Sequence, residues 1–321
     1  MKIGTRLSRS LLTTLVILFV PFSLYAAPSY KIALATWTGY PENVQGFKDG
    51  LAENGVNLDN VSFISAQPSS DKQVQEQMIL SMSAREVDLV YSLTTPGTII
   101  VKRTFPETTP IVFSIVTYPA DSGLIDSFEY SGNNLVGTSN YIPLQHYIQL
   151  IDTLVPNTQS AAIFHRIGEP NSKIQASNLI RLLKRKNIAV HDIEVNNLQE
   201  LKQQASLIAP SIDLFITTTD TLLQNGGEEV LITIADQSNI PILSSNKKGI
   251  QKGATFGPVA DFYQLGKQSG SLAADILLNG KEPRHLQSSL QDQPTFLINR
   301  NSMERLGIDT EDLTSLRFQW Y

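Results

Sequence analysis

Short runs of β-forming residues alternate with helical stretches along the chain, and this alternation constrains its fold more than any other feature. Each half holds four such runs: KIALAT, VSFIS, VDLVYSL and PIVFSIV in the first, then AAIFH, AVHDIEV, IDLFITTT and IPILSS in the second. Between them, apolar residues recur at three- and four-residue steps, as at Val44, Phe47 and Leu51, which is the period of an amphipathic helix. Strands that alternate with helices predict βαβ units and mainly parallel sheets. We therefore predict an α/β protein.

The two halves also match each other in sequence. VDLVYSLTTP of the first half aligns with IDLFITTTDT of the second, which pairs Asp88 with Asp213 and Thr94 with Thr219. The next strands, PIVFS and PILSS, align as well. Buried parallel strands resemble one another by chance because both are apolar. Agreement in order, spacing and flanking hydroxyl residues across both pairs nevertheless favours a duplicated lobe.

We predict two Rossmann-like lobes with parallel sheets, joined by a multi-strand hinge. The predicted N-terminal lobe comprises residues 30–138 and 256–284, and the predicted C-terminal lobe comprises residues 139–255 and 285–321. The final segment contains one more helix, with Phe262 and Leu265 on its apolar face and Gly280 after its end,. A tail of this kind crosses back between lobes. No low-complexity linker separates the halves, which favours a tightly coupled body.

The N-terminal segment has the pattern of a secretory signal. Lys2, Arg6 and Arg9 precede an apolar stretch that is followed by small residues,. The stretch is shorter than the roughly 20 residues of a membrane-spanning helix, and Pro21 interrupts it, so a retained anchor is the weaker interpretation,. We predict that residues 1–26 are a cleaved signal peptide and that the protein is periplasmic.

The composition narrows the function further. The chain has no cysteine, so it offers neither a thiol for an N-terminal lipid nor a disulfide, and we predict that it is not a lipoprotein,. Removal of the predicted signal lowers the basic residues from 25 to 22 against 30 acidic residues, a net charge of about −8, which argues against nucleic acid as a partner,. The four histidines lack metal-ligand spacing, so no metal or other cofactor is expected.

Short polar side chains end several predicted strands in both halves. In open parallel sheets, ligands bind beyond the carboxyl ends of the strands. The candidate ligand-binding residues are therefore Trp37, Thr94, Thr95, Ser114, Thr117, Glu169, Asn171, Ser172, Thr219, Asp220 and Ser245. Hydroxyl and amide groups with few long charges suit hydrogen bonding to a small polar solute.

Several of these residues have a structural interpretation beside the functional one. Thr95 followed by Pro96 is typical of an N-cap and a first-turn proline, which would aim backbone N–H groups at a ligand carboxylate or simply cap the helix. Asp220 opens the corresponding helix of the second half, where it either caps that helix or receives a ligand ammonium. Glu169 is a second candidate for an ammonium, with a solvated loop glutamate as the alternative. Five aromatic residues near predicted strand ends or crossovers together favour a ligand with an apolar part, with core or hinge packing as the alternative: Trp37, Tyr40, Tyr118, Tyr141 and Phe256.

The usual catalytic patterns are absent from the sequence. It contains no G-x-S-x-G, no G-x-x-x-x-G-K-[ST], no G-x-G-x-x-G and no H-E-x-x-H,. A cysteine nucleophile is excluded, whereas a serine triad depends on geometry and leaves a periplasmic serine hydrolase as an alternative. We predict a binding protein and not an enzyme.

Six motifs follow one another along the chain: DLVYSLTTPGT (88–98), PIVFSIVTYPADSGLI (110–125), GTSNYIP (137–143), GEPNS (168–172), DLFITTTDT (213–221) and GATFGPVADFYQLGKQSG (253–270). Their order and spacing resemble the ABC transporter substrate-binding protein family, which includes the tryptophan- and tyrosine-associated binding proteins. The motifs extend over essentially the whole mature chain. The resemblance implies a type I periplasmic binding protein fold. It also implies a receptor that delivers an amino acid or similar small molecule, often aromatic, to an inner-membrane permease with an ATPase.

By position, the resemblance adds Ser139 and Asn140 to the expected cleft. Two segments depart from the family: Val116–Pro119 has Tyr where relatives have Asp, and His165–Ile167 replaces Tyr-Asn-Pro. Both lie near the expected cleft, so the identity of the ligand stays open. We expect the lobes to close around the solute by a hinge motion. A ligand sensor that signals to a membrane sensor protein is the alternative to an importer subunit.

Overall fold

The structure is a computed structural model that describes residues 29–37, 40–65, 67–69, 71–291, 293–308 and 318–321. The predicted signal peptide, residues 1–26, lies outside these ranges. Within them, no helix combines the length and the apolar character that crossing a membrane requires.

Strands and helices alternate through the described residues, as the sequence predicts. The strands are β1 (Tyr30–Ala35), β2 (Val61–Ser65), β3 (Leu89–Leu93), β4 (Ile111–Ser114), β5 (Leu135–Ser139), β6 (Ser160–Arg166), β7 (Ala189–Val195), β8 (Leu214–Thr217), β9 (Ile242–Leu243), β10 (Phe256–Val259), β11 (Ser289–Leu290), β12 (Thr295–Ile298) and β13 (Phe318–Trp320). The α-helices are α1 (Pro41–Glu53), α2 (Lys72–Ser83), α3 (Thr95–Thr104), α4 (Gln145–Leu154), α5 (Pro170–Arg185), α6 (Leu198–Ile208), α7 (Glu228–Ser238), α8 (Lys247–Lys252), α9 (Phe262–Asn279) and α10 (Arg300–Leu306).

Two mainly parallel sheets form the centres of two lobes. The first sheet has the order β11-β5-β4-β3-β1-β2, and the second has the order β13-β12-β10-β9-β8-β6-β7. The five successive strands of each half therefore take the same relative positions, with β6 to β10 repeating β1 to β5. Buried apolar side chains cover both faces of each sheet, as expected for parallel sheets flanked by helices. The predicted α/β architecture with two parallel-dominated sheets is confirmed.

Hydrogen bonds at the strand starts reproduce the internal repeat. The Asp88 carboxylate accepts from the backbone N–H of Lys31 in β1 at 2.7 Å. The Asp213 carboxylate accepts from the backbone N–H of Ser160, the first residue of β6, at 2.8 Å. The residues that the sequence alignment pairs therefore bind the equivalent strand in each lobe.

The chain passes between the two sheets three times. It crosses after β5, where α4 packs Tyr147 and Ile151 into the core of the second lobe. It returns after β10, because α9 packs against α1 of the first lobe. A Cβ atom on Gly50 of α1 would lie only 2.2 Å from the carbonyl oxygen of Lys267 in α9. The third crossing joins β11 of the first sheet to β12 of the second.

Two strands fall outside the predicted lobe boundaries. β10, which those boundaries place in the N-terminal lobe, pairs with β9 and β12 of the second sheet. Its Phe256 and Val259 side chains are buried in the second lobe's core, which holds the strand there. β11, which the boundaries place in the C-terminal lobe, pairs with β5 of the first sheet. The division of the remaining chain into lobes stays a prediction.

Candidate functional site

A small cavity lies where the carboxyl ends of the two sheets face each other. The first lobe and the first crossover line it with Tyr40, Thr94, Thr95, Pro96, Ile115, Thr117 and Asn140, and the second lobe with Asn171, Thr219, Asp220, Thr221 and Gln224. Its volume is about 10 Å³, room for about one water-sized sphere. The two lobes are therefore closed on each other.

Two hydrogen bonds join the lobes across this cavity. The Thr117 and Thr219 hydroxyl oxygens lie 3.0 Å apart. The Tyr40 hydroxyl donates to Oε1 of Gln224 at 2.6 Å. Gln224 reaches Tyr40 from a kinked turn, Leu223–Gly227, that precedes α7.

The first-lobe wall is built at the ends of β3 and β4, where two β-branched residues have left-handed backbone conformations. Thr94 has φ +68° and Ile115 has φ +56°, which is uncommon outside glycine and costly for a branched side chain. Thr94 is the N-cap of α3, because its hydroxyl oxygen accepts from the backbone N–H of Gly97 at 3.2 Å. The expectation that Thr95 is the cap is therefore wrong by one residue. Thr95 does not cap the helix, and its buried hydroxyl has no hydrogen-bond partner among the described residues.

Trp37 does not line the cavity. Its ring packs in the first-lobe core beside the start of α3, 3.5 Å from the Cβ position of Gly97. Its indole N–H is buried and has no hydrogen-bond partner in the described part of the chain.

The second-lobe wall is organised around Thr219. Oε1 of Gln175 accepts from the Thr219 backbone N–H at 2.8 Å and lies 2.9 Å from the Thr219 hydroxyl. The Asn171 side-chain amide donates to the Thr219 carbonyl oxygen, which leaves Oδ1 of Asn171 buried without a partner among the described residues. Gln175 is absent from the predicted set. The available signal was its position four residues after Asn171, on the same face of α5.

Two buried carboxylates lie in or behind this wall. Asp220 lines the cavity and accepts from the backbone N–H groups of Arg166 and Leu223 at 2.8 and 2.7 Å. Glu169 lies outside the cavity lining; it accepts from the Thr221 backbone N–H at 3.1 Å and pairs with the Arg166 guanidinium at 3.4 Å. Burial raises the pKa of both carboxyls, and the charge of Glu169 raises the pKa of Asp220 further. Arg166, which belongs to a segment that departs from the family, partly offsets the charge of this pair.

The remaining predicted residues are buried behind the cavity and bonded within their own lobes. Ser114 accepts from the Asn43 amide at 2.9 Å. Ser139 donates to the Thr117 carbonyl at 3.0 Å, and Ser172 donates to the Glu169 carbonyl at 3.1 Å. Ser245 donates to the Thr217 carbonyl at 2.8 Å. These hydroxyls fix the strand ends that carry the lining residues.

The structure thus brings part of the predicted set to one cavity and adds residues to it. The predicted residues in the lining are Thr94, Thr95, Thr117, Asn140, Asn171, Thr219 and Asp220. The lining residues outside the predicted set are Pro96, Ile115, Thr221 and Gln224, and Tyr40, one of the five candidate aromatic residues, also lines the cavity. Gln224 gives no sequence signal, because the turn that carries it has non-helical conformations at Asn225 and Gly226.

Two parallel-sheet lobes linked by three crossovers, with a polar cavity between their carboxyl ends, define the type I periplasmic binding protein class, and the predicted fold is confirmed. The chain belongs to the ABC transporter substrate binding protein family, whose sequence model matches residues 36–317. The family resemblance seen in the sequence is therefore confirmed as well.

Individual proteins are similar to this chain in sequence or in fold. A tyrosine-binding protein of Clostridioides difficile (strain R20291) is 25% identical over 274 residues, which cover 85% of this chain and 76% of that protein. The crystal structure of the ABC domain in complex with L-Trp from Streptococcus pneumoniae superposes with a TM-score of 0.85 at 22% identity, covering 91% of this chain and 99% of that one. A conserved domain protein of Vibrio cholerae o1 biovar eltor gives a TM-score of 0.85 at 24% identity with the same coverage.

Proposed function

We propose that this protein is the periplasmic solute-binding subunit of an ABC importer and that it captures an amino acid with an aromatic side chain by lobe closure. One observation carries the proposal. The cavity lining holds a buried, unpartnered polar atom from each lobe, the Thr95 hydroxyl and Oδ1 of Asn171, counted over the described residues. Because buried polar groups in folded proteins are nearly always hydrogen-bonded, these are the atoms that a bound solute would satisfy.

The two walls complement the two charged groups of an amino acid. On the first-lobe side, the Thr95 hydroxyl lies in the first turn of α3, where the helix dipole favours a carboxylate,. On the second-lobe side, Oδ1 of Asn171 and the Asp220 carboxylate are acceptors that suit an ammonium group.

The rest of the lining supports an aromatic side chain on the solute. Tyr40, Pro96 and Ile115 contribute apolar surface to the cavity, and aromatic rings pack well against such surface. The names of the tyrosine-binding relative and of the L-Trp complex point the same way.

Closure follows from the size of the cavity and the number of crossovers. A space of about 10 Å³ admits an amino acid only when the lobes move apart, and three connecting segments can act as the hinge. A solute that contacts both walls stabilises the closed arrangement. We infer that a permease with its ATPase recognises this closed form, and that the predicted signal peptide delivers the protein to the periplasm without a lipid.

Calorimetric titration and thermal unfolding test the proposal directly. L-tryptophan, L-tyrosine and L-phenylalanine are compared with ribose and glucose. A bound solute at 100 times its Kd adds about 2.7 kcal/mol to the free energy of unfolding, so we expect Tm to rise by several degrees with at least one amino acid and with neither sugar. Asn171→Ala should weaken binding by about tenfold or more, whereas Asn178→Ala, on the same helix but outside the lining, should not. A sugar response, or no response to any of the amino acids, would contradict the proposal.

A further inference from the structure

The hydroxyl protons at the junction of the two lobes can be assigned from the protein's own hydrogen bonds. Oε1 of Gln175 accepts the Thr219 backbone N–H at 2.8 Å, which fixes the orientation of the Gln175 amide. The Thr219 hydroxyl lies 2.9 Å from the same oxygen. Because a carbonyl oxygen has no proton, Thr219 must donate its single hydroxyl proton to Gln175.

Thr117 must therefore be the donor in the contact between the lobes. Its hydroxyl lies 3.0 Å from the Thr219 hydroxyl and 3.0 Å from Oδ1 of Asn140. The single Thr117 proton cannot satisfy both acceptors. When the lobes are apart, the Thr117 hydroxyl donates to Oδ1 of Asn140. When they close, the Thr219 hydroxyl oxygen competes for the same proton.

Closure thus leaves an acceptor, Oδ1 of Asn140, without a donor at the junction. Asn140 and Asn171 both line the cavity, and Oδ1 of Asn171 has no partner among the described residues. A buried acceptor without a hydrogen bond costs about 1–3 kcal/mol. An ammonium group carries three donors and would satisfy both amide oxygens.

We propose that the Thr117–Thr219 contact makes lobe closure depend on a hydrogen-bond donor brought by the solute. Thr117 and Thr219 are then specificity-determining residues that distinguish an amino acid from its des-amino analogue. The inference rests on the proposed function in one respect, that the donor is the ammonium of a captured amino acid.

The test compares L-tryptophan with indole-3-propionate, which keeps the carboxylate and the ring but lacks the ammonium. In the wild type, we expect L-tryptophan to bind at least about tenfold more tightly by calorimetry. Thr219→Val removes the competing acceptor, so closure no longer strands Oδ1 of Asn140: affinity for indole-3-propionate should rise about tenfold while affinity for L-tryptophan changes less than about threefold. Thr219→Ser keeps the hydroxyl and should keep the discrimination. Thr98→Val is the matched control, because it removes a buried hydroxyl that is hydrogen-bonded to Ser92 within the first lobe.

A second measurement needs no ligand. Small-angle scattering should give ligand-free Thr219→Val a smaller radius of gyration than ligand-free wild type, because closure of the variant no longer strands an acceptor. Thr219→Ser should match the wild type. Undiminished discrimination in Thr219→Val, or an equally open ligand-free variant, would overturn the inference, and an Asn140 amide turned to donate to Thr117 would produce that result. If neither probe binds the wild type, the proposed amino acid solute fails, and the scattering comparison still decides the inference.

Discussion

At the residue scale, the first-lobe wall stores backbone strain next to the cavity. Thr94 and Ile115 both line the cavity with positive φ, and the Thr94 backbone N–H donates to the Ser114 carbonyl at 3.1 Å between them. Such conformations cost of order 1–3 kcal/mol each and cluster at binding sites. The strain places the Thr94 cap and the Thr95 hydroxyl where a solute can reach them.

Substitutions at Thr94 separate strain from capping. Thr94→Gly relieves the strained φ and loses only a few tenths of a kcal/mol of capping energy, so the free energy of unfolding should stay constant or rise. Thr94→Ala keeps the strain and loses the cap, so the free energy of unfolding should fall by about 1 kcal/mol. Urea unfolding of the two variants measures the difference. Equal losses in both would show that φ at this position is unstrained.

Glu228 predicts how stability varies with pH. It is fully buried and accepts from the Thr217 hydroxyl at 3.1 Å and from the Asn246 amide at 2.8 Å, and burial raises its pKa to about 7. Because the folded-state pKa lies above the ordinary value of 4.5, this group's contribution is fully present below pH about 4.5 and is lost as pH rises through about 7.

Glu228→Gln should therefore reduce the decline in the free energy of unfolding between pH 5 and pH 8 by the part due to Glu228, while the part due to Glu169 and Asp220, whose pKa values burial also raises, should remain,. Urea unfolding across that range is the measurement. Glu229→Gln, which changes the neighbouring half-buried residue paired with Lys252, is the control; the charge of Glu229 is the smallest cause of the raised Glu228 pKa, so most of the decline should remain. A decline that persists unchanged in Glu228→Gln would remove Glu228 as its source.

The sequence predicts those site residues that depend on strand ends. Thr94 and Thr219 follow apolar runs that end visibly, so their placement needs only the alternation of strands and helices. The contact between Tyr40 and Gln224 could not be predicted, because it depends on how the two lobes face each other, although Tyr40 alone was a candidate aromatic contact of the ligand. The error at Thr95 arises because φ of Thr94, and not the residue type, decides which threonine caps α3.

At the scale of the elements, the fifth strand of each half, β5 or β10, is not predicted from the sequence. β5 contains Gly137, and β10 contains Gly257 followed by Pro258, which interrupt a β-forming pattern. The structure explains both glycines. A Cβ on Gly137 would lie 2.1 Å from the Phe113 carbonyl oxygen, and one on Gly257 would lie 1.8 Å from the Ser244 carbonyl oxygen. Phe113 and Ser244 are equivalent in the aligned halves, so the repeat extends to these close approaches.

Gly257→Ala and Gly137→Ala should each destabilise the fold. The added methyl group meets backbone of the neighbouring strand, which cannot rotate away, and overpacking of this kind costs about 1–3 kcal/mol. Thermal and urea unfolding should show a loss of that order in both variants. A variant of unchanged stability would show that the strands can separate at that point.

At the scale of the whole molecule, the two-lobe plan was predictable because each lobe repeats one pattern of strands and helices. It was not predictable which sheet β10 joins and which sheet β11 joins, because both strands are short and lie next to crossovers. Likewise, nothing in the sequence fixes how closely the lobes approach, which is set by contacts such as Tyr40 to Gln224. Closure of the lobes around an amino acid, as we propose it, is a motion of the whole molecule.

Distance measurement across the cleft tests this closure most directly. The chain has no cysteine, so Gln73→Cys in α2 and Gln199→Cys in α6, both exposed beside strands β2 and β7, provide two unique labelling sites for fluorescence energy transfer. We expect ligand-free protein to have an open population with low transfer efficiency, and we expect this population to shift to high transfer efficiency as L-tryptophan or L-tyrosine is added. Unchanged transfer efficiency at amino acid concentrations that saturate binding by calorimetry would contradict the proposed closure.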